Sequence, residues 1–347
     1  MLHQQQDDHV SAWPVSGDDK LLPVLLEMII FFIILPLVCF NCNQPRKQTE
    51  NETGTAPLNI NKQAIVYWTP SDIHSITDSI QKELVTYGRE LIAHTSRYLG
   101  PKGSVMQISN GLNCQNCHLQ AGTAVYGNNY GSVASLYPKF RPRSGTIENV
   151  YKRVKDCFER SLNGKAPDTT TREMQAILAY INFIGSNVTR GEKAAGSGLK
   201  DLSWLDRAAD PEKGKAVFTL KCQTCHQANG EGLLNPEKTE YIYPALWGEN
   251  SFNDGAGLFR ISNFAKYVKY NMPQGTTHEK PQLKDEEAWD VAAFVLTQNR
   301  PHINTPKDWP DKNLKPVDYP FGPYVDSCTE QRHKLGPFKA MLIKNEK

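Results

Sequence analysis

The residues most able to do chemistry are two strings of the form Cys-x-x-Cys-His: Cys114, Cys117 and His118, then Cys222, Cys225 and His226. Two thiols at this spacing add across the vinyl groups of a porphyrin, and the adjoining imidazole is placed to bind the iron. One such string alone could still be a redox dithiol or half a zinc site. Two strings, each with its histidine, point to two covalently bound haem c groups. What each iron does then depends on the ligand of its other face.

For the second haem, Met272 and His278 are the candidates after His226. Met272 stands in Tyr-Asn-Met-Pro-Gln-Gly, where Pro273 stiffens an otherwise polar loop, so the thioether is the expected ligand. A His/Met pair raises the potential and suits electron transfer. The first haem is less ordinary, because no histidine lies between His118 and His226. His74 and His94 precede the motif, and the available sulfurs are Met174 and Cys157. Met174 falls on an apolar helical stripe.

Cys157 lies in a segment, 146–164, that reads as one helix with Ile147, Val150, Tyr151, Val154 and Phe158 on a core face. Arg153, Cys157 and Ser161 form a second stripe beside it. A lone cysteine there is readily a small buried hydrophobe. The cation one turn away favours instead a thiolate, which as an iron ligand lowers the potential.

Positioning these groups requires helices. Residues 80–99 carry Ile80, Leu84, Tyr87, Leu91 and Ile92 at helical spacing and end at Gly100-Pro101. Residues 172–184 repeat the pattern with Met174, Ile177, Leu178 and Ile181. The order recurs around the second motif, where Gly214 and Phe218 are expected to meet Trp289 and Phe294 of a closing helix over 285–297. The expected fold is mainly α: two tandem cytochrome c-type haem domains behind an N-terminal export or anchor segment. The boundaries read as 1–42 signal peptide or membrane anchor, 43–65 flexible tether, 66–190 first haem domain and 191–204 Gly-, Lys- and Ser-rich linker. Residues 205–300 then form the second haem domain, and 301–347 a Pro-rich extension that packs over the domains.

Thirty-nine Lys and Arg against 37 Asp and Glu give no basic excess, which argues against a nucleic-acid surface. The apolar run 21–39 reads as an export signal or a membrane anchor, interrupted by Glu27 and flanked by Pro23 and Pro36. Cys42, followed by a polar tract, is a candidate for lipid attachment. The expected location is the periplasm, from the export reading of this run and from what the resemblance to exported c-type cytochromes implies about where haem is attached, with a candidate membrane tether through the N-terminus.

YGRELIAHTSRYLGPKGS leading into LNCQNCHLQAGT, then RPRSG, RVKDCFERSLNG and KPVDYPFGPY, resemble the dihaem thiosulfate dehydrogenase / tetrathionate reductase family, related to the dihaem cytochrome of the Sox pathway. The resemblance implies a His/Cys pair, His118 and Cys157, on haem 1, and His226 with Met272 on haem 2. It places Arg143, Arg153 and Ser161 with Cys157 around the substrate. It implies that two thiosulfates are joined to tetrathionate, each iron taking one electron, with the reverse reaction open to the same site. A small cytochrome c or another periplasmic redox protein is the implied electron partner. Some members carry a lysine before the haem 2 methionine that can replace it; here the position is Asn271, a weak ligand, so haem 2 is expected to keep Met272. The rival readings are a passive dihaem electron carrier and a sulfur-carrying subunit of a Sox-type complex.

Overall fold

The computed structural model describes residues 65–344. The export or anchor segment, Cys42 and nearly all of the expected tether lie outside the described residues. Within them the chain is mainly helical, with three two-stranded sheets.

The first unit is built on a crossing of two helices. Ser79–Ala93 starts at Asp78, whose carboxylate accepts from Gln81 N at 2.7 Å. Arg172–Ile184 starts at Thr171. Leu91, Met174, Ala176 and Ile177 are fully buried where the helices meet, each large side chain contributing about 1.5–3 kcal/mol. The approach depends on Gly88: a Cβ there would stand 2.0 Å from the carbonyl oxygen of Ala176.

The helix expected over 80–99 is two. It breaks at His94 (φ −128°, ψ 41°) and resumes as Thr95–Leu99. The break turns the Thr95 hydroxyl back onto Leu91 O at 2.7 Å, and the same hydroxyl oxygen accepts from Cys114 N at 2.9 Å. The first haem motif is thereby tied to the first helix.

The helix expected over 146–164 is shorter. Thr146–Glu148 is a strand paired antiparallel with Lys139–Arg141, and the helix is Val150–Arg160. Asn149 decides the boundary, because its side chain accepts from Lys152 N at 2.9 Å and starts the helix there. Ile147, assigned to the core face from periodicity, is 74% exposed.

The second unit repeats the crossing with Pro211–Lys221 and Asp285–Leu296. Proline at the first helical position and Asp210 as cap fix the entry. Gly214 lets the helices touch, and a Cβ there would stand 1.9 Å from Asp290 O. Phe218 meets Phe294 at 5.4 Å between ring centroids, while Trp289 packs against Trp204 and Phe338.

The stretch joining the units is packed. Ala194 and Ser197 are buried, and Gly198–Leu199 pairs with Gly127–Asn129. The units also share polar contacts: Glu240 of the second accepts from Arg97 at 2.9 Å and lies 2.9 Å from His94 Nδ1. The Pro-rich extension crosses both. Asp308 grips Arg160 through two bonds of 2.9 and 2.8 Å, and Asp318 holds Arg260 Nε at 3.0 Å. It ends in two short helices, Glu330–Leu335 and Phe338–Lys344, which proline content did not suggest.

Candidate active site

Each Cys-x-x-Cys-His string opens onto its own cavity. The first encloses about 950 Å³ counted to its open edge and is lined by Cys114, Cys117, His118, Arg153, Cys157 and Ser161 together with Ile92, Leu112, Ile177 and Ile181. That is the upper range for cofactor pockets. Burial raises the Cys114 and Cys117 thiols to about 12, and the two are not joined by a disulfide. His118 donates from Nδ1 to Asn128 O at 2.6 Å, which leaves Nε2 for a metal. Burial lowers its pKa to about 4, keeping the imidazole neutral as a ligand must be. These residues fit a haem held by two thioethers and one histidine.

The second cavity, about 750 Å³, is lined by Cys222, His226, Met272 and an apolar set including Phe218, Phe264 and Val295. His226 repeats the histidine device, Nδ1 lying 2.8 Å from Pro244 O. Met272 closes the helix Ile261–Asn271 at the cavity wall. His278 is not on that wall; it lines the adjoining crevice with Cys222, Cys225, His226 and Met272, where its ring is wedged between Tyr67 and Tyr126 at 5.0 and 5.1 Å. Asn271 turns its amide to Tyr126 O and Tyr267 O, at 3.2 and 3.1 Å. Cys117 lines both cavities, so one peptide segment separates them, and the Tyr267 hydroxyl donates to Asn116 O at 2.6 Å to hold it.

Of the sulfurs considered for the first iron, Met174 is wholly buried in the helix crossing and does not line the cavity. His74 and His94 do not line it either. Cys157 does. Arg153, one turn earlier on the same helix, donates from Nη1 to Cys157 Sγ at 3.2 Å. The facing Cys157 sulfur is the main electrostatic cause that raises the guanidinium's pKa.

The first cavity opens into a cleft between the two units, lined by Arg141, Arg143, Arg153, Arg160, Arg260 and Lys266 and by one carboxylate, Asp156. Most of this charge is committed. Arg160 is held by Asp308, Arg260 by Asp318 and Asp156 by Lys152, while Lys266 is paired only with a solvent-exposed acid, Asp201. Arg141 has Glu148 at 3.9 Å. Arg143 has only a distant share of Asp308, 3.9 Å from its Nε, while its Nη1 donates to Gly255 O at 2.9 Å. Its burial, with Arg160 nearby, lowers its pKa to about 10. Among the described residues Arg153 has no carboxylate within 4 Å. The cleft therefore keeps positive charge for an anion at Arg143 and Arg153, beside Cys157. Ser161 lines both cavity and cleft.

Cys157, Arg143, Arg153 and Ser161 are thus brought to one place. Sequence reasoning missed Arg141, Arg160, Arg260, Lys266 and the carboxylates that neutralise them. Arg160 was within reach of it, lying two turns after Arg153 on the same helix. Asp308 and Asp318 carried no local signal.

The chain is similar to known proteins over both haem units. The family model described as "Cytochrome c" matches residues 211–299, and that described as "SoxA/TsdA, cytochrome c domain" matches 105–190. A thiosulfate dehydrogenase of Psychrobacter arcticus is 37% identical over 243 residues, covering 69% of this chain and 71% of that protein. One from Allochromatium vinosum is 37% identical over 223 residues, 62% of this chain and 81% of the relative. Among solved structures, the thiosulfate dehydrogenase TsdBA of Marichromatium purpuratum in its "as isolated" form matches with a TM-score of 0.62 at 28% identity. That match covers 68% of this chain and 50% of the solved one.

Proposed function

The chain belongs to the thiosulfate dehydrogenase family, and we propose that it joins two thiosulfates to tetrathionate in the cleft beside Cys157, with Arg143 and Arg153 binding the anion. It carries two covalently bound haem c groups, which supply two one-electron acceptors for the two electrons released. His118 with Cys157, and His226 with Met272, would hold the two irons.

Moving a dianion from water into this cleft costs several kcal/mol unless cations replace its hydration. Planar guanidinium forks match oxyanion geometry, and Arg153 and Arg143 are the cleft cations whose charge is least committed. Arg153 holds the Cys157 sulfur at the mouth of the cavity while presenting its other N–H groups to the anion. Ser161 offers a hydroxyl to a sulfonate oxygen from the same helix end. The apolar wall of Ile92, Leu112, Ile177 and Ile181 belongs to the adjoining haem cavity and would enclose the porphyrin. By microscopic reversibility the same groups serve tetrathionate reduction.

The carrying observation is the 3.2 Å contact between Arg153 and Cys157 at a cleft with residual positive charge. It is tested by supplying purified protein with thiosulfate and an artificial one-electron acceptor, without any partner. Tetrathionate should form at half the molar rate of acceptor reduction. No tetrathionate without a second protein would favour the sulfur-carrier subunit instead.

The apolar run 21–39 supports a periplasmic location, with the N-terminus as export signal or tether and Cys42 as a lipid site. A small cytochrome c or another periplasmic redox protein completes the cycle as electron partner.

A further inference from the structure

Arg143 and Arg153 account for one anion, yet the reaction takes two; the need for a second anion site rests on the thiosulfate chemistry proposed for the cleft. Two thiosulfates can bond only through their outer sulfurs, so their sulfonate ends must point apart and cannot share one pair of arginines. The first unit supplies Arg143 and Arg153. The second unit supplies Arg260, Asn263 and Lys266 to the same cleft, from the cap and the first half of the helix Ile261–Asn271.

Arg260 is not available to an anion. Asp318, whose side chain is wholly buried, accepts from its Nε at 3.0 Å and from Ser262 N at 3.1 Å. Lys266 differs. Its Nζ lies 2.8 Å from Asp201, but that carboxylate is 97% exposed while the lysine is 22% exposed. A pair whose acid stands in water is weak and yields readily to a better acceptor. Asn263, three residues before and so on the same helix face, uses one amide N–H on Gly257 O at 2.9 Å and has a second to give.

We propose that Lys266 and Asn263 form a second sulfonate subsite, which binds the second thiosulfate before the sulfur–sulfur bond forms and the far end of tetrathionate afterwards. The balance is simple. Two thiosulfate dianions form one S–S bond and release two electrons, one to each of the protein's two redox centres. No proton moves and no group leaves.

The test uses the oxidised holoenzyme and calorimetric titration with tetrathionate, which does not turn over without a donor. Lys266→Gln should weaken tetrathionate binding about tenfold, the loss of one charge-assisted contact, and Lys266→Arg should restore most of it. Asp201→Asn should leave binding unchanged or tighten it, because it releases the lysine. In thiosulfate oxidation, the Lys266→Gln variant should need about tenfold more substrate to leave the second-order regime, with both haem spectra unchanged. Wild-type affinity in Lys266→Gln overturns the subsite. So does equal weakening by Asp201→Asn, which would mean that only the ion pair matters. A wild-type protein that neither binds tetrathionate nor oxidises thiosulfate overturns the functional reading itself, so the two failures are distinguishable.

Discussion

The Arg153 guanidinium lies 3.2 Å from the sulfur of Cys157, and no carboxylate among the described residues comes within 4 Å of it. The pair is a single helical turn, yet its electrostatics are set by what is absent around it. Glu148 and Asp156 raise the guanidinium's pKa further without pairing with it. A cation so placed can hold a thiolate and an oxyanion at once.

Arg153→Gln should therefore raise the KM for thiosulfate and lower kcat/KM by about tenfold or more. Arg143→Gln should do the same, since it is the other cleft cation with little compensation. Both variants should keep two haem spectra, because no iron ligand changes. Steady-state kinetics decide it; unchanged kinetics in both would assign the arginines to structure or to haem propionates.

Cys157→Gly should still incorporate both haems, since Cys114, Cys117, Cys222 and Cys225 remain, but should lose nearly all thiosulfate oxidation. Pyridine haemochrome analysis reports the first and turnover the second. Near-normal turnover would leave the thiol without a role in the chemistry.

Met272→Gly should lower the potential of one haem by on the order of 100 mV through loss of the thioether, with the other haem little changed. Spectropotentiometric titration resolves the two. Because Asn271 is tied to Tyr126 O and Tyr267 O, no neighbouring amide should substitute for the sulfur.

The helix crossing offers a prediction about stability alone. In Gly88→Ala the new Cβ would stand 2.0 Å from Ala176 O, so the helices must separate, costing roughly 1–3 kcal/mol. Thermal unfolding should begin at a temperature lower by roughly 2 °C or more. Gly322→Ala, whose Cβ meets nothing nearer than 3.7 Å, should stay within roughly 1 °C of the parent. Equal melting of the two variants would show that the crossing tolerates a wider spacing.

Several of these features were legible in the chain because they are local. The Cys-x-x-Cys-His strings need five consecutive residues, and the Arg153, Cys157, Ser161 stripe needs only helical periodicity. The helices themselves could be anticipated because an apolar face shows in its own sequence, and the crossing in the second unit followed from the likeness to small cytochromes c. Periodicity failed where side chains overrode it: Asn149 capped a helix that the pattern began earlier, and Thr95 with His94 broke one that the pattern continued. Charge compensation was beyond the sequence altogether. Asp308 reaches Arg160 across 148 positions and Asp318 reaches Arg260 across 58, and nothing local announces either pairing. Amino-acid spacing thus determined which atoms could hold haem and sulfur. Only the tertiary structure decided which cations retain charge for an anion, because an ion pair depends on distance in space and is indifferent to separation along the chain.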